Sequence, residues 1–97
     1  MNELQYTAAN MCSTDYKDRF CAEYAQLKIR YLKLNDMLDK WDAGTLEFEP
    51  TCPRVLYEKQ LRAMADYKDV LEARAKIEHV DLQTRMESLE MLTSWNQ

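Results

Sequence analysis

The chain is poor in everything that breaks a helix. Among 97 residues there is one glycine, Gly44, and there are two prolines, Pro50 and Pro53. All three fall within the stretch WDAGTLEFEPTCP, from Trp41 to Pro53. A single glycine leaves no phosphate-cradling loop of the nucleotide-hydrolase or dinucleotide kind. Histidine occurs once, at His79, and the three cysteines, Cys12, Cys21 and Cys52, show no CxxC spacing. A zinc site would need improvised ligands, so no metal and no cofactor is expected, and odd, scattered cysteines suit a reducing, cytosolic compartment. No apolar run approaches the roughly 18 residues that span a bilayer, and MNELQYTAANMCST has neither a basic cluster nor a signal-like core. A net charge of −4 gives no broad attraction to DNA or RNA. No membrane and no nucleic-acid partner is therefore expected, and with no base, metal or phosphate loop in view the chain is not expected to be an enzyme.

What is present is helical periodicity on either side of the breakers. Phe20, Tyr24, Leu27, Tyr31, Leu34, Leu38 and Trp41 follow one another in steps of four and three, the seam of a helix packed lengthwise on another. Ser13 or Thr14 would cap this helix, and Gly44 would close it in a left-handed conformation. Thr51 or Cys52 would cap a second helix with Pro53 in its first turn. The expected fold is all-α: an antiparallel two-helix hairpin in a single domain, 1–97. Its parts are an N-terminal arm (1–14), helix 1 (15–43), a loop (44–52), helix 2 (53–79) and a shorter C-terminal helix or tail (80–97). Leu46 and Phe48 would fold over the end of the hairpin, with a short strand as the alternative.

Helix 1 carries a second apolar line, Ala22, Ala25, Ile29 and Leu32. Two accounts are open: the C-terminal helix of the same chain covers it, or it is the interface of a homo-oligomer. A chain of this size buries only about 60–65% of its unfolded surface, so association is a natural supplement to a thin core. In helix 2, Leu56, Ala63, Met64, Val70, Leu71 and Ile77 mark an inner face. Glu58, Lys59, Arg62, Asp66, Asp69, Glu72 and Lys76 mark the outer one. Gln60, Tyr67 and Arg74 lie on the inner side at heptad spacing, and a charge placed there must find an acceptor. Arg74 could pair with a carboxylate such as Glu23, with Gln60 and Tyr67 bonded to Tyr24 or Tyr31. Alternatively the three line a polar pocket for a phosphate and a base. Arg19, Arg30 and Lys33 on helix 1 read either as a solvated flank or as further anion contacts.

The runs EYAQLKIRYLKLNDML and QLRAMADYKDVLEAR resemble the small helical-hairpin proteins of phages and prophages related to crAss-like phage genes. Glu23, Tyr24, Leu27, Arg30, Lys33 and Leu34 match the first half of that pattern. Gln60, Leu61, Ala63, Met64, Tyr67, Leu71 and Arg74 match the second, and together the match covers residues 15–80. The hairpin is similar in shape to phage sponges that counter CBASS and Thoeris immunity. The resemblance implies a homo-oligomer, hexameric in many sponges, that sequesters a nucleotide second messenger without cleaving it, in the cytoplasm of the infected host. Family members bind through aromatic stacking and basic contacts at subunit junctions. Here Arg19, Arg30, Lys33 and Arg74 would meet phosphates, Tyr16 and Tyr67 would stack on bases, and Gln60 would add a polar contact. The N-terminal 14 residues and the tail from Val80 depart from the pattern. The competing function is an adaptor hairpin that inhibits or scaffolds a host protein by direct contact.

Overall fold

A computed structural model describes residues 3–82, and the described residues are all-helical, with three helices and no strand. These are α1 (Glu3–Met11), α2 (Tyr16–Ala43) and α3 (Arg54–Glu78). The expected C-terminal helix lies outside the described residues from 83 onward. The N-terminal arm holds α1, which packs against α2 and buries Thr7. Its nine residues, ELQYTAANM, make only about two and a half turns, too few for a heptad seam to repeat. Periodicity alone therefore missed it.

The ends of α2 show how the chain punctuates itself. The cap at its start is Asp15 rather than Ser13 or Thr14, with its carboxylate accepting from the Lys17 N–H at 2.9 Å. Ser13 reinforces that turn: its hydroxyl accepts from the Asp15 N–H and donates to Asp18. At the far end Gly44 takes φ 74°, a left-handed conformation that carries almost no penalty without a Cβ. Thr45 N–H then reaches back to Lys40 O at 2.9 Å and satisfies an end carbonyl. α3 starts differently from the expectation. Pro53 itself stands at the cap position, with no side-chain cap bond. Its carbonyl accepts from the Leu56 N–H at 3.0 Å. His79 closes α3 at φ 58°, and Val80 N–H returns to Ala75 O.

α2 buries its main seam, with Phe20, Tyr24, Leu27 and Leu38 buried and Tyr31, Leu34 and Trp41 half-buried. The core gathers Phe20, Cys21, Tyr24, Ala25 and Leu27 with Leu71, Ala75 and Val80. The Tyr16–Glu78 bond ties the start of α2 to the end of α3, and Asp42–Arg54 ties the end of α2 to the start of α3. Of the second apolar line, Ala22, Ala25 and Ile29 are buried within the single chain, while Leu32 is 53% exposed.

α3 is turned from the expected face. Leu71 is fully buried and Met64 half-buried, but Leu56 (52%), Val70 (55%) and Ile77 (78%) stand in solvent, as does Ala63. The physical reason is that α3 carries two apolar stripes one residue apart, a rotation of about 100° on a helix of 3.6 residues per turn. The stripe through Tyr57, Leu61, Met64, Leu71 and Ala75 meets the body of the fold, and the other faces outward. In the loop, Leu46 is half-buried but Phe48 is 56% exposed, so only one of the pair folds over the end.

Candidate functional site

The ties between α2 and α3 bring residues far apart in sequence to one place. Tyr16, the first residue of α2, lies beside the last turns of α3. Its hydroxyl donates to Glu78 Oε1 at 2.5 Å and accepts from Arg74 Nη2 at 2.9 Å. Arg74 also donates from Nε to Glu78 Oε2 at 3.0 Å, and its guanidinium lies 4.9 Å from the Phe20 ring centroid. Tyr16 meets Phe20 edge-on at 6.1 Å, and Arg19 sits 6.0 Å from the Tyr16 ring while donating to Ser13 O. Lys17 Nζ reaches His79 O at 3.2 Å. The result is an exposed corner with two guanidinium groups around a tyrosine that is 46% exposed.

Charge in this corner is strongly organised. The Tyr16 hydroxyl and then Arg74 hold the Glu78 carboxylate below its usual range. The Glu78 bond in turn raises the Tyr16 phenol. One turn of α3 back and deeper in, burial pushes the Tyr24 hydroxyl well up, helped by its 2.5 Å bond to Glu72 Oε2. Glu72, which also accepts from Lys68 at 3.1 Å, is lowered by that tyrosine first.

The signs set a pH dependence. Glu72 and Glu78 have folded values below the ordinary 4.5. Their contribution is therefore complete above that value and lost as pH falls through the lowered one. Tyr16 and Tyr24 are raised above 10.0, so theirs is complete below pH 10 and lost as pH rises through the raised values. Thermal melts across pH are expected to show a plateau between these limits, and Glu72→Gln should flatten the acid limb. An unchanged acid limb would mean that Glu72 is not coupled to folding.

Of the residues singled out in the sequence, the corner unites Tyr16, Arg19 and Arg74. Arg30 and Lys33 are exposed farther along α2, with Arg30 about 16 Å along the axis from Arg19 at 1.5 Å per residue. Gln60 and Tyr67 are exposed on α3, Gln60 about 21 Å along it from Arg74. Arg74 pairs with Glu78 rather than Glu23, and the Tyr24 hydroxyl goes to Glu72 rather than to Gln60 or Tyr67. Sequence reasoning missed Phe20 and Glu78 as members of the site. Glu78 was findable, because Arg74 and Glu78 stand four apart on one helix face.

Two open cavities lie at the opposite end, near the loop. One of about 300 Å³ is lined by Asp39, Asp42 and Glu58 as well as Arg54 and Arg62, and the Arg54 fork is spent on Asp42 at 2.7 and 3.1 Å. The other, about 370 Å³, is lined by Trp41, Leu46, Phe48, Glu49 and Pro50 and carries no cation. Three carboxylates in one and a lone carboxylate in the other repel a phosphate. The Tyr16–Arg19–Arg74 corner is the better anion site, although it is shallower. Among the described residues no group of three or more His, Cys, Asp or Glu could hold a metal ion, and no helix is long and apolar enough to cross a membrane.

In comparison with known proteins, residues 14–77 match the family model described as Sequestin. No curated protein and no solved structure matches the chain.

Proposed function

The chain belongs to the Sequestin family, and we propose that it sequesters a nucleotide-derived immune signal, a cyclic oligonucleotide or an ADP-ribose derivative, without cleaving it. In this reading it is a phage anti-defence protein, related to the hairpin proteins of crAss-like phages, working as a homo-oligomer in the cytoplasm of the infected cell. The family name speaks for sequestration. The observation that carries the reading to a nucleotide is the corner itself, where two guanidinium groups flank an open tyrosine ring. Phosphates ask for guanidinium donors, bases ask for aromatic faces, and a site already held by its own bonds loses little entropy on binding. Glu78 occupies Arg74 with a carboxylate in the unliganded protein, and an incoming phosphate would take that place.

The test is a thermal-shift screen against a panel of cyclic oligonucleotides and ADP-ribose derivatives. A ligand present at 100 times its dissociation constant adds about 2.7 kcal/mol of stability. In a domain of this size that is a rise of roughly ten degrees or more. A panel in which no nucleotide moves the melting temperature would remove the nucleotide from the proposal.

A further inference from the structure

Arg74 and Tyr16 are already held by a group of this chain that imitates a phosphate. Glu78 Oε1 accepts from the Tyr16 hydroxyl at 2.5 Å, and Oε2 accepts from Arg74 Nε at 3.0 Å. Arg74 Nη2 donates to the same hydroxyl at 2.9 Å. The Nε–Nη2 edge of the guanidinium, which can grip two phosphate oxygens at once, is thus engaged at both nitrogens. A phosphate that takes this edge and the hydroxyl takes the place of both carboxylate oxygens.

Glu78 cannot then stay where it was. It is the last residue of α3, tethered beside the incoming anion, and two like charges left side by side repel. The displaced carboxylate needs a cation, and one stands at the neighbouring position. Lys17 follows Tyr16 in α2 as His79 follows Glu78, and Lys17 Nζ donates to His79 O at 3.2 Å. The cross-links Tyr16–Glu78 and Lys17–His79 are therefore adjacent in both segments. An ammonium has three donors and a full charge, and a backbone carbonyl takes one donor and neutralises none of the charge. Lys17 is exposed and Glu78 half-buried, so the move from one partner to the other needs no opening of the core.

We infer that ligand binding at the corner is a charge exchange, in which a phosphate replaces Glu78 on Arg74 and Glu78 passes to Lys17. Lys17 is then a positioning residue, which acts by receiving the carboxylate and touches no ligand. This rests on the proposed reading of the corner for its ligand, but the transfer can be followed without one.

The test is calorimetric titration of the full chain with ADP-ribose and with cyclic di-AMP. Glu78→Gln keeps the shape of the side chain and removes its charge, so it should bind about three- to tenfold more tightly than the wild type. Glu78→Ala should tighten binding too, and takes its place if Glu78→Gln does not fold. Lys17→Met should weaken binding by about two- to fivefold in the wild type, the effect of losing one exposed ion pair. In the Glu78→Gln background it should change the affinity very little, since no carboxylate is left to receive. Binding by Glu78→Gln that is no tighter than wild type overturns the inference. A Lys17→Met effect of equal size in both backgrounds, nil included, overturns it as well. Without ligand, Arg74→Ala frees the same carboxylate. Lys17→Met should then lower the melting temperature by at least about 1 °C more than it does with Arg74 in place. Equal losses would overturn the transfer whether or not a nucleotide binds. If neither probe binds and the extra loss is present, the nucleotide reading is weakened and the exchange stands.

Discussion

Arg74→Ala is expected to weaken nucleotide binding by about ten- to a hundredfold, the effect of removing a hydrogen-bonding charge from its ligand. Arg74 is the hinge of the corner, bonded to Tyr16 and Glu78 and lying over Phe20 at 4.9 Å. Arg74→Lys keeps the charge but loses the planar fork that meets two phosphate oxygens at once, so an intermediate loss is expected. The fold itself should barely notice either change, because the side chain is 45% exposed and solvent-exposed ion pairs contribute little. Calorimetric titration of the wild type and both variants separates these outcomes. Equal affinity in all three would place the ligand elsewhere on the molecule.

Leu71→Ala is expected to cost about 2–5 kcal/mol, the usual range for a buried leucine that leaves a cavity. For a domain of this size the melting temperature should fall by at least about 10 °C. Leu71 has no exposed surface and sits among Phe20, Tyr24 and Leu27 of α2 with Ala75 and Val80. The informative control is Ile77→Ala, six residues along the same helix. Ile77 is 78% exposed, so its truncation should change stability by less than about 0.5 kcal/mol. Comparable losses at both positions would mean that α3 is rotated relative to the description above.

The contrast between Leu71 and Ile77 also shows where reading the sequence runs out. The seam of α2 was plain because its apolar residues follow one another through Phe20, Tyr24, Leu27 and Leu38, and Gly44 stands where the helix stops. α3 offers two stripes of similar strength, and nothing local says which one faces inward. That choice depends on how the loop from Thr45 to Pro53 delivers the helix. α1 was illegible for another reason, since its nine residues are too few for a seam to repeat, and it packs on α2. In the site, Tyr16, Arg19 and Arg74 could each be suspected singly. Their meeting spans 58 positions of sequence and follows from the contact between the start of α2 and the end of α3. Arg30, Lys33, Gln60 and Tyr67 have the right chemistry and lie on other parts of the surface.

Sequestration differs from every catalytic or adaptor reading in the fate of the ligand, and that fate can be followed directly. The protein is incubated with a nucleotide that raised its melting temperature and passed through a filter that retains it. The retained fraction is then denatured and its small molecules weighed by mass spectrometry. The account predicts that the filtrate is depleted in proportion to the protein added, and that the nucleotide returns from the denatured protein with its mass unchanged. A filtrate that keeps its nucleotide, or a released product of different mass, would contradict it.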